Sequence, residues 1–144
     1  MIYKNTLITL MTIFSFMSVG WGQFDITPPE LVVFQLIDNV IDITEEEGRI
    51  DYLITLTDDI SGVQQCHLSF RSPSNVDFVY SYPYVTEQEL LEVTIEEHIP
   101  VPQFIEPGIY TMNSINCYDY SDNSFYYGEN EIQNLNIDNQ FEVV

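Results

Sequence analysis

The chain has 144 residues, with 23 Asp and Glu against three Lys and Arg, and its formal net charge at pH 7 is −20. This charge excludes most binding to nucleic acids and acidic lipids, because both attract clusters of Lys and Arg and the sequence has none. Hydrophobic residues at 45% and aromatic residues at 14% are too many for a disordered acidic tail. The sequence therefore predicts a folded protein, and its length allows a single domain.

Residues 1–22 have the features of a removable signal peptide. Lys4 gives the start a positive charge, an apolar run of about a dozen residues follows, and Gly20 and Gly22 precede a cleavage position at Gln23. The apolar run is too short for a permanent membrane span, although an uncleaved N-terminal anchor is the alternative. We therefore predict export of the mature part, residues 23–144, to the periplasm, the cell surface or the medium, with no transmembrane anchor after cleavage.

The two cysteines, Cys66 and Cys117, both lie in the predicted mature part. An even number of cysteines in an oxidising compartment is typical of a disulfide, and two buried thiols are the alternative. The sequence therefore predicts a Cys66–Cys117 bond.

Alternation of apolar and polar residues with a period of two dominates the mature part, and no segment shows helical periodicity. Turn-forming runs rich in Gly, Pro, Asn and Asp separate the alternating segments. Seven or eight short strands with no helix between them predict an all-β fold, an antiparallel β-sandwich. In chain order, the predicted strands are residues 31–37 with a continuation at 40–43, 50–56, 63–70, 78–84, 91–95, 109–117, 125–127 and 141–143.

Several segments of the mature part form an ordered series of motifs. They are Asp25–Leu31, Asp58–Val63, Phe70–Ser74, Glu106–Tyr110 and Tyr118–Ser124. In order and spacing this series resembles the bacterial immunoglobulin-like domains of exported and surface proteins. The resemblance implies an immunoglobulin-like sandwich that serves adhesion, cell-surface architecture or an accessory role, with no chemistry of its own.

The chain departs from antibody-type domains in two respects. Its one Trp, Trp21, lies in the predicted signal peptide, so the core lacks a Trp. The predicted disulfide joins the third and sixth strands, which are neighbours in one sheet of such a topology, rather than the two sheets.

Acidic residues cluster where three segments of an immunoglobulin-like topology meet at one end of the sandwich. Hard oxygen ligands from several segments suit Ca²⁺, so the sequence predicts a Ca²⁺ site there. The alternative is that these residues cap turns locally, as Asp commonly does. The candidate metal ligands are Asp25, Asp58, Asp59, Asp119 and Asp122, with Glu30 close by.

Tyr80, Tyr82 and Tyr84 alternate along one predicted strand, and Pro83 marks that strand as an edge. Aligned rings on an exposed face bind sugars or a protein partner, whereas buried rings are simply part of the core. Exposure of these three rings would favour a carbohydrate ligand, and their burial would remove that hypothesis. Tyr118, Tyr120, Tyr126 and Tyr127 form a second group with the same two interpretations.

Catalytic motifs are weak in this sequence. His67 and His98 have no metal-ligand spacing to each other or to a cysteine, and Ser61 lacks the setting of a nucleophile elbow. We therefore predict that the protein is not an enzyme but a binding, adhesion or structural module. Its expected partner is an extracellular protein, and the alternative is a glycan bound by the tyrosine row.

Overall fold

The structure is a computed structural model that describes residues 24–88 and 90–144. The predicted signal peptide, residues 1–22, lies outside the described residues. Within them the chain forms nine strands and one short helix. In order these are β1 (Glu30–Leu36), β2 (Val40–Ile41), β3 (Gly48–Thr57), β4 (Val63–Arg71), β5 (Phe78–Ser81), β6 (Glu92–Val101), β7 (Gly108–Asp119), β8 (Ser124–Gly128), α1 (Glu129–Ile132) and β9 (Gln140–Val143).

The strands form two sheets packed face to face. One sheet has the order β1-β3-β6, and the other has the order β2-β9-β7-β4-β5, with β8 also pairing with β7. All pairings between the named strands are antiparallel except that of β2 with β9. β3 lies between β1 and β6 in the first sheet, and β7 lies between β9 and β4 in the second. This is the strand order of an immunoglobulin-like sandwich. The predicted all-β sandwich is therefore confirmed.

The alternation seen in the sequence produces the core. Ile50, Tyr52, Ile54 and Leu56 on β3 are all completely buried, because every second side chain of a strand points to the same face. The Tyr52 ring packs 5.3 Å from that of Phe34, and its hydroxyl bonds to Ser81 Oγ at 2.9 Å. The buried phenol on one sheet is thus satisfied by a polar group on the other.

Three features differ from the sequence expectation. The helix α1 was not predicted, since four residues are too few to show helical periodicity. β6 extends to Val101, beyond the predicted limit at residue 95. β5 ends at Ser81, and Tyr84 forms an isolated bridge with Gln65, because Pro83 cannot donate a ladder hydrogen bond.

Cys66 and Cys117 form a disulfide, as predicted. They face each other in the β4–β7 register, with their Cα atoms 4.0 Å apart, and both are completely buried. The bond joins neighbouring strands of one sheet, which also agrees with the sequence. A disulfide fits an oxidising compartment outside the cytoplasm. In the part of the chain that the structure describes, no helix has the length and apolar character needed to cross a bilayer.

Candidate functional site

Three of the predicted metal ligands come together at one end of the sandwich. Asp25 lies in the segment before β1, Asp58 directly follows β3, and Asp119 is the last residue of β7. One carboxylate oxygen of each lies within 4.8 Å of the others. We call these three residues the acidic group, and its composition allows it to hold a metal ion.

Local hydrogen bonds hold each carboxylate of the acidic group in place. Asp25 Oδ2 accepts from the amide of Ser61 at 2.9 Å, and Asp58 Oδ2 accepts from the amide of Gly62 at 2.7 Å. Asp119 accepts from the backbone amide and the side-chain amide of Asn123. The turn-capping role that the sequence offered as an alternative is therefore present, and it also fixes the three carboxylates close together.

One oxygen of the acidic group has no such hydrogen bond. Asp58 Oδ1 is buried and has no hydrogen-bond partner among the described residues. Burial raises the pKa of Asp58, and the negative charges of Asp25 and Asp119 raise it further, although the amide of Gly62 opposes the shift. The ionised form of Asp58 therefore destabilises the folded protein, and either protonation or a bound cation would remove this cost.

Asp59 and Asp122 do not belong to the acidic group. Both are exposed, and Asp122 occupies a left-handed backbone conformation, with φ 65°, in the turn between β7 and β8. Asp59 lies next to Asp25, whose pKa is lowered chiefly by the Ser61 side chain. The sequence could not separate Asp59 and Asp122 from the acidic group, because neighbouring acidic residues in a turn look alike in sequence although their side chains point in different directions.

The pH dependence of stability follows from these shifts and from the net charge. With two cationic against 23 acidic residues, residues 23–144 carry a formal net charge of −21, and these charges repel each other at neutral pH. Protonation of Asp58, whose pKa is raised, removes a destabilising charge, so its contribution to stability grows as pH falls. The pKa of Asp42 is lowered chiefly by its hydrogen bond from the Thr44 amide, and that of Glu106 chiefly by its hydrogen bond from the Ser72 side chain. The stability that these two carboxylates add is therefore present at neutral pH and is lost only as pH falls below the ordinary carboxyl pKa.

We therefore expect the melting temperature in low salt to rise as pH falls from 8 to about 5, and to fall again below about pH 4. Differential scanning calorimetry over this range measures it. The same series in about 1 M NaCl is the control, because salt at that concentration screens charge repulsion and should flatten the rise. A melting temperature that stays level between pH 8 and 5 in low salt would contradict the self-repulsion argument.

A second candidate site is a row of exposed rings on β5 and the residues after it. Tyr80, Tyr82 and Tyr84 are 45%, 62% and 55% exposed, so the alternative that they form the core is wrong. The rings of Phe78 and Tyr80 are nearly parallel at 6.3 Å, and those of Tyr80 and Tyr82 are nearly parallel at 6.2 Å. Val79, between Phe78 and Tyr80 in the sequence, is buried, because successive side chains of a strand point to opposite faces.

The row continues across the sheet. The His67 ring on β4 lies 5.2 Å from the Tyr82 ring and 5.5 Å from the Tyr118 ring on β7. The β4–β7–β8 register places Asn116 between His67 and the exposed Tyr126, and Asn116 Nδ2 donates to Tyr118 Oη at 2.6 Å. We call this surface the aromatic face, formed by Phe78, Tyr80, Tyr82, His67, Tyr118 and Tyr126 together with Asn116.

Tyr84 does not extend this row. It lies beyond Pro83, and its hydroxyl neighbours that of Tyr120, whose pKa is raised by burial first and by Tyr84 second. Tyr84 is exposed but contacts Tyr120 rather than the stacked rings. Of the three predicted ligand-binding tyrosines, Tyr80 and Tyr82 belong to the stacked row.

The aromatic face has no acidic side chain. The register places Tyr80, Ser69 and Ser114 in one cross-strand line and Gln65, Tyr118 and Ser124 in another. At one end of the face Arg71 is paired with Glu129, so that neither charge is left uncompensated there. A surface without acidic side chains is a distinct feature in a chain with 23 acidic and three basic residues.

Tyr118 and Tyr126 were expected in a separate group, and neither they nor His67 were expected beside the row of Tyr80 and Tyr82. A signal was present, since each lies next to a core residue of its strand: Cys66, Cys117 and Phe125, all buried. Strand parity therefore places all three on the outer face. Their proximity depends on the register between strands, which a single sequence does not give.

No protein-family model matches the chain, and no curated protein is significantly similar to it in sequence.

Proposed function

We propose that the protein is an exported, non-catalytic binding module that holds a neutral carbohydrate on its aromatic face. The exposure of Tyr80 and Tyr82 in a nearly parallel row carries this proposal. The resemblance to bacterial immunoglobulin-like domains supports an accessory role of this kind, and the disulfide and the predicted signal peptide support export.

The chemistry of the aromatic face suits sugars. The rings offer apolar surface for the C–H groups of a pyranose, and the Tyr hydroxyls, Asn116 and His67 offer hydrogen-bonding groups for its hydroxyls. A neutral glycan is not repelled by the charge of the domain, whereas an acidic polysaccharide is repelled by its 21 net negative charges. The favoured ligand class is therefore an uncharged glycan.

A protein partner is the second candidate, and the same exposure supports it. Tyr is enriched at protein interfaces, and a large aromatic patch on a monomer commonly marks one. In this case the domain would serve adhesion or surface architecture, as the sequence resemblance implies.

The Tyr80→Ala/Tyr82→Ala double variant is expected to lose binding to neutral polysaccharides. Each stacking ring contributes about 0.5–1.5 kcal/mol, so the loss of two should weaken binding roughly 5- to 150-fold. Affinity electrophoresis and titration calorimetry with neutral and acidic polysaccharides measure this. The melting temperature should stay unchanged, because both rings are exposed.

Phe104→Ala is the matched control, since Phe104 is an exposed ring in the loop before β7, away from the aromatic face. It should bind as the unmodified protein does. Failure of every neutral glycan to bind, together with capture of a protein that Tyr80→Ala/Tyr82→Ala abolishes, would favour the second candidate.

We further propose that the acidic group binds Ca²⁺ and that this ion stabilises the fold. Support comes from three carboxylates on three segments, from the buried Asp58 Oδ1 without a partner, and from the absence of any Lys or Arg in those segments. Ca²⁺ accepts irregular sets of oxygen ligands, and it would tie the segment before β1 to the ends of β3 and β7.

Millimolar Ca²⁺ acting on a site with a Kd of about 10⁻⁵ M should stabilise the protein by roughly 2.7 kcal/mol. Mg²⁺ at equal concentration should do much less, because it demands regular octahedral geometry. Asp58→Asn should remove most of the Ca²⁺-dependent shift in melting temperature. Asp122→Asn is the control, since it makes the same change in an exposed neighbouring turn and keeps a residue type that tolerates φ 65°. Equal shifts from both ions would argue against a site.

A further inference from the structure

β1 is the outer strand of the three-stranded sheet. Among the described strands it pairs with β3 alone. Near its end, the amide of Leu36 donates to Asp138 Oδ2 at 3.3 Å, so the backbone of Leu36 points away from β3. Because backbone direction alternates along an antiparallel strand, the N–H and C=O of Phe34 also point outward. The middle of β1 thus presents backbone groups that could pair with a further strand.

The sequence of this edge strand is uncharged between Glu30 and Asp38. Residues 31–37, Leu-Val-Val-Phe-Gln-Leu-Ile, carry no charge in a protein with 23 acidic residues, and they include neither Pro nor Gly. Val32 and Val33 are 55% and 39% exposed. An uncharged, β-branched and accessible edge strand is the kind that pairs with another strand, and proteins usually protect such edges with charges or proline. Here the edge is protected by a register irregularity between Leu31 and Val33 and, at Leu36, by the Asp138 carboxylate, which leaves the middle of the strand open.

We propose that β1 pairs antiparallel with β1 of a second copy of this chain, so that the two three-stranded sheets become one six-stranded sheet. Two copies that each carry about 21 negative charges approach with least repulsion along residues 31–35, where the strand has no charge and which lie before the Asp138 carboxylate at Leu36. A two-fold axis brings the same uncharged run of both copies together, which makes the contact self-complementary and closed. A basic partner would instead be drawn to the acidic surfaces elsewhere on the domain.

The proposed dimer has a characteristic dependence on salt. Glu30 and Asp38 flank the uncharged run, and antiparallel pairing brings the Glu30 end of one strand towards the Asp38 end of the other. The acidic side chains therefore repel each other at both ends of the contact. Salt screens this repulsion, so association should strengthen as salt increases, whereas attraction to a basic partner would weaken.

Sedimentation velocity of the mature protein, over a range of concentrations in low and high salt, tests the proposal. The dimer fraction should increase with concentration and with salt. Val33→Glu should weaken dimerisation at least tenfold, because it adds one negative charge from each copy beside the new pair of strands. Val76→Glu adds the same charge at an exposed loop position and should dimerise as the unmodified protein does.

Two further observations decide the outcome. The amide of Phe34 should exchange its hydrogen more slowly as the dimer fraction increases, because it becomes hydrogen-bonded. A protein that stays monomeric at about 1 mM in high salt would overturn the proposal. So would a dimer that Tyr82→Ala abolishes and Val33→Glu leaves intact, since its interface would then be the aromatic face.

Discussion

Replacement of both Cys66 and Cys117 by alanine is expected to lower the free energy of unfolding by ~4 kcal/mol. The two residues are 51 positions apart, and the bond restricts the unfolded chain by closing a loop of that length. Domains of this size are stable by only about 5–15 kcal/mol, so the loss would be a large fraction of the total. Urea unfolding followed by circular dichroism, with the unreduced protein as reference, measures the difference.

Ser69 and Ser114 supply a matched control for the cysteine pair. They also face each other across β4 and β7, and their hydroxyls form a hydrogen bond of 2.8 Å without a covalent link. Replacing both with alanine should cost about 1–2 kcal/mol, the net contribution of this bond and of the one that Ser69 Oγ accepts from Asn113 Nδ2. If the cysteine variant lost no more stability than the serine variant, loop closure would not be what the disulfide contributes.

Phe70→Ala is expected to cost about 3–5 kcal/mol, because it leaves a cavity between the two sheets. Phe70 on β4 is completely buried. Its ring lies 6.4 Å from that of Phe34 in the other sheet and 5.2 Å from that of Phe141 on β9. The ring therefore joins the two sheets through the centre of the core, and chemical denaturation should show the full loss.

Phe78→Ala removes the same side chain from the opposite face of the same strand pair. Phe78 pairs with Arg71, the residue after Phe70, and its ring is exposed on the aromatic face. Its removal should change the free energy of unfolding by no more than about 1 kcal/mol. Comparable losses from both variants would contradict the assignment of inner and outer faces.

The sequence alone predicted the features that depend on neighbouring residues along the chain. Alternation along Ile50, Tyr52, Ile54 and Leu56 predicted β3 and its buried face, because side-chain direction in a strand depends on position parity. Two cysteines placed on the apolar faces of their strands predicted the disulfide. Acidic residues in turns predicted an acidic end of the sandwich, although not which residues form the group.

Tertiary structure decided what depends on register and on contacts between distant segments. It selected Asp25, Asp58 and Asp119 from five candidate ligands, because side-chain directions within the turns separate neighbouring residues. It placed His67 and Tyr118 beside Tyr82, the ring that follows β5, since cross-strand neighbours depend on pairing that one sequence does not specify. It also placed the uncharged β1 at a sheet edge, because strand order is a property of the whole fold. Local periodicity thus determined the strands and their faces, and long-range pairing determined which residues share a surface.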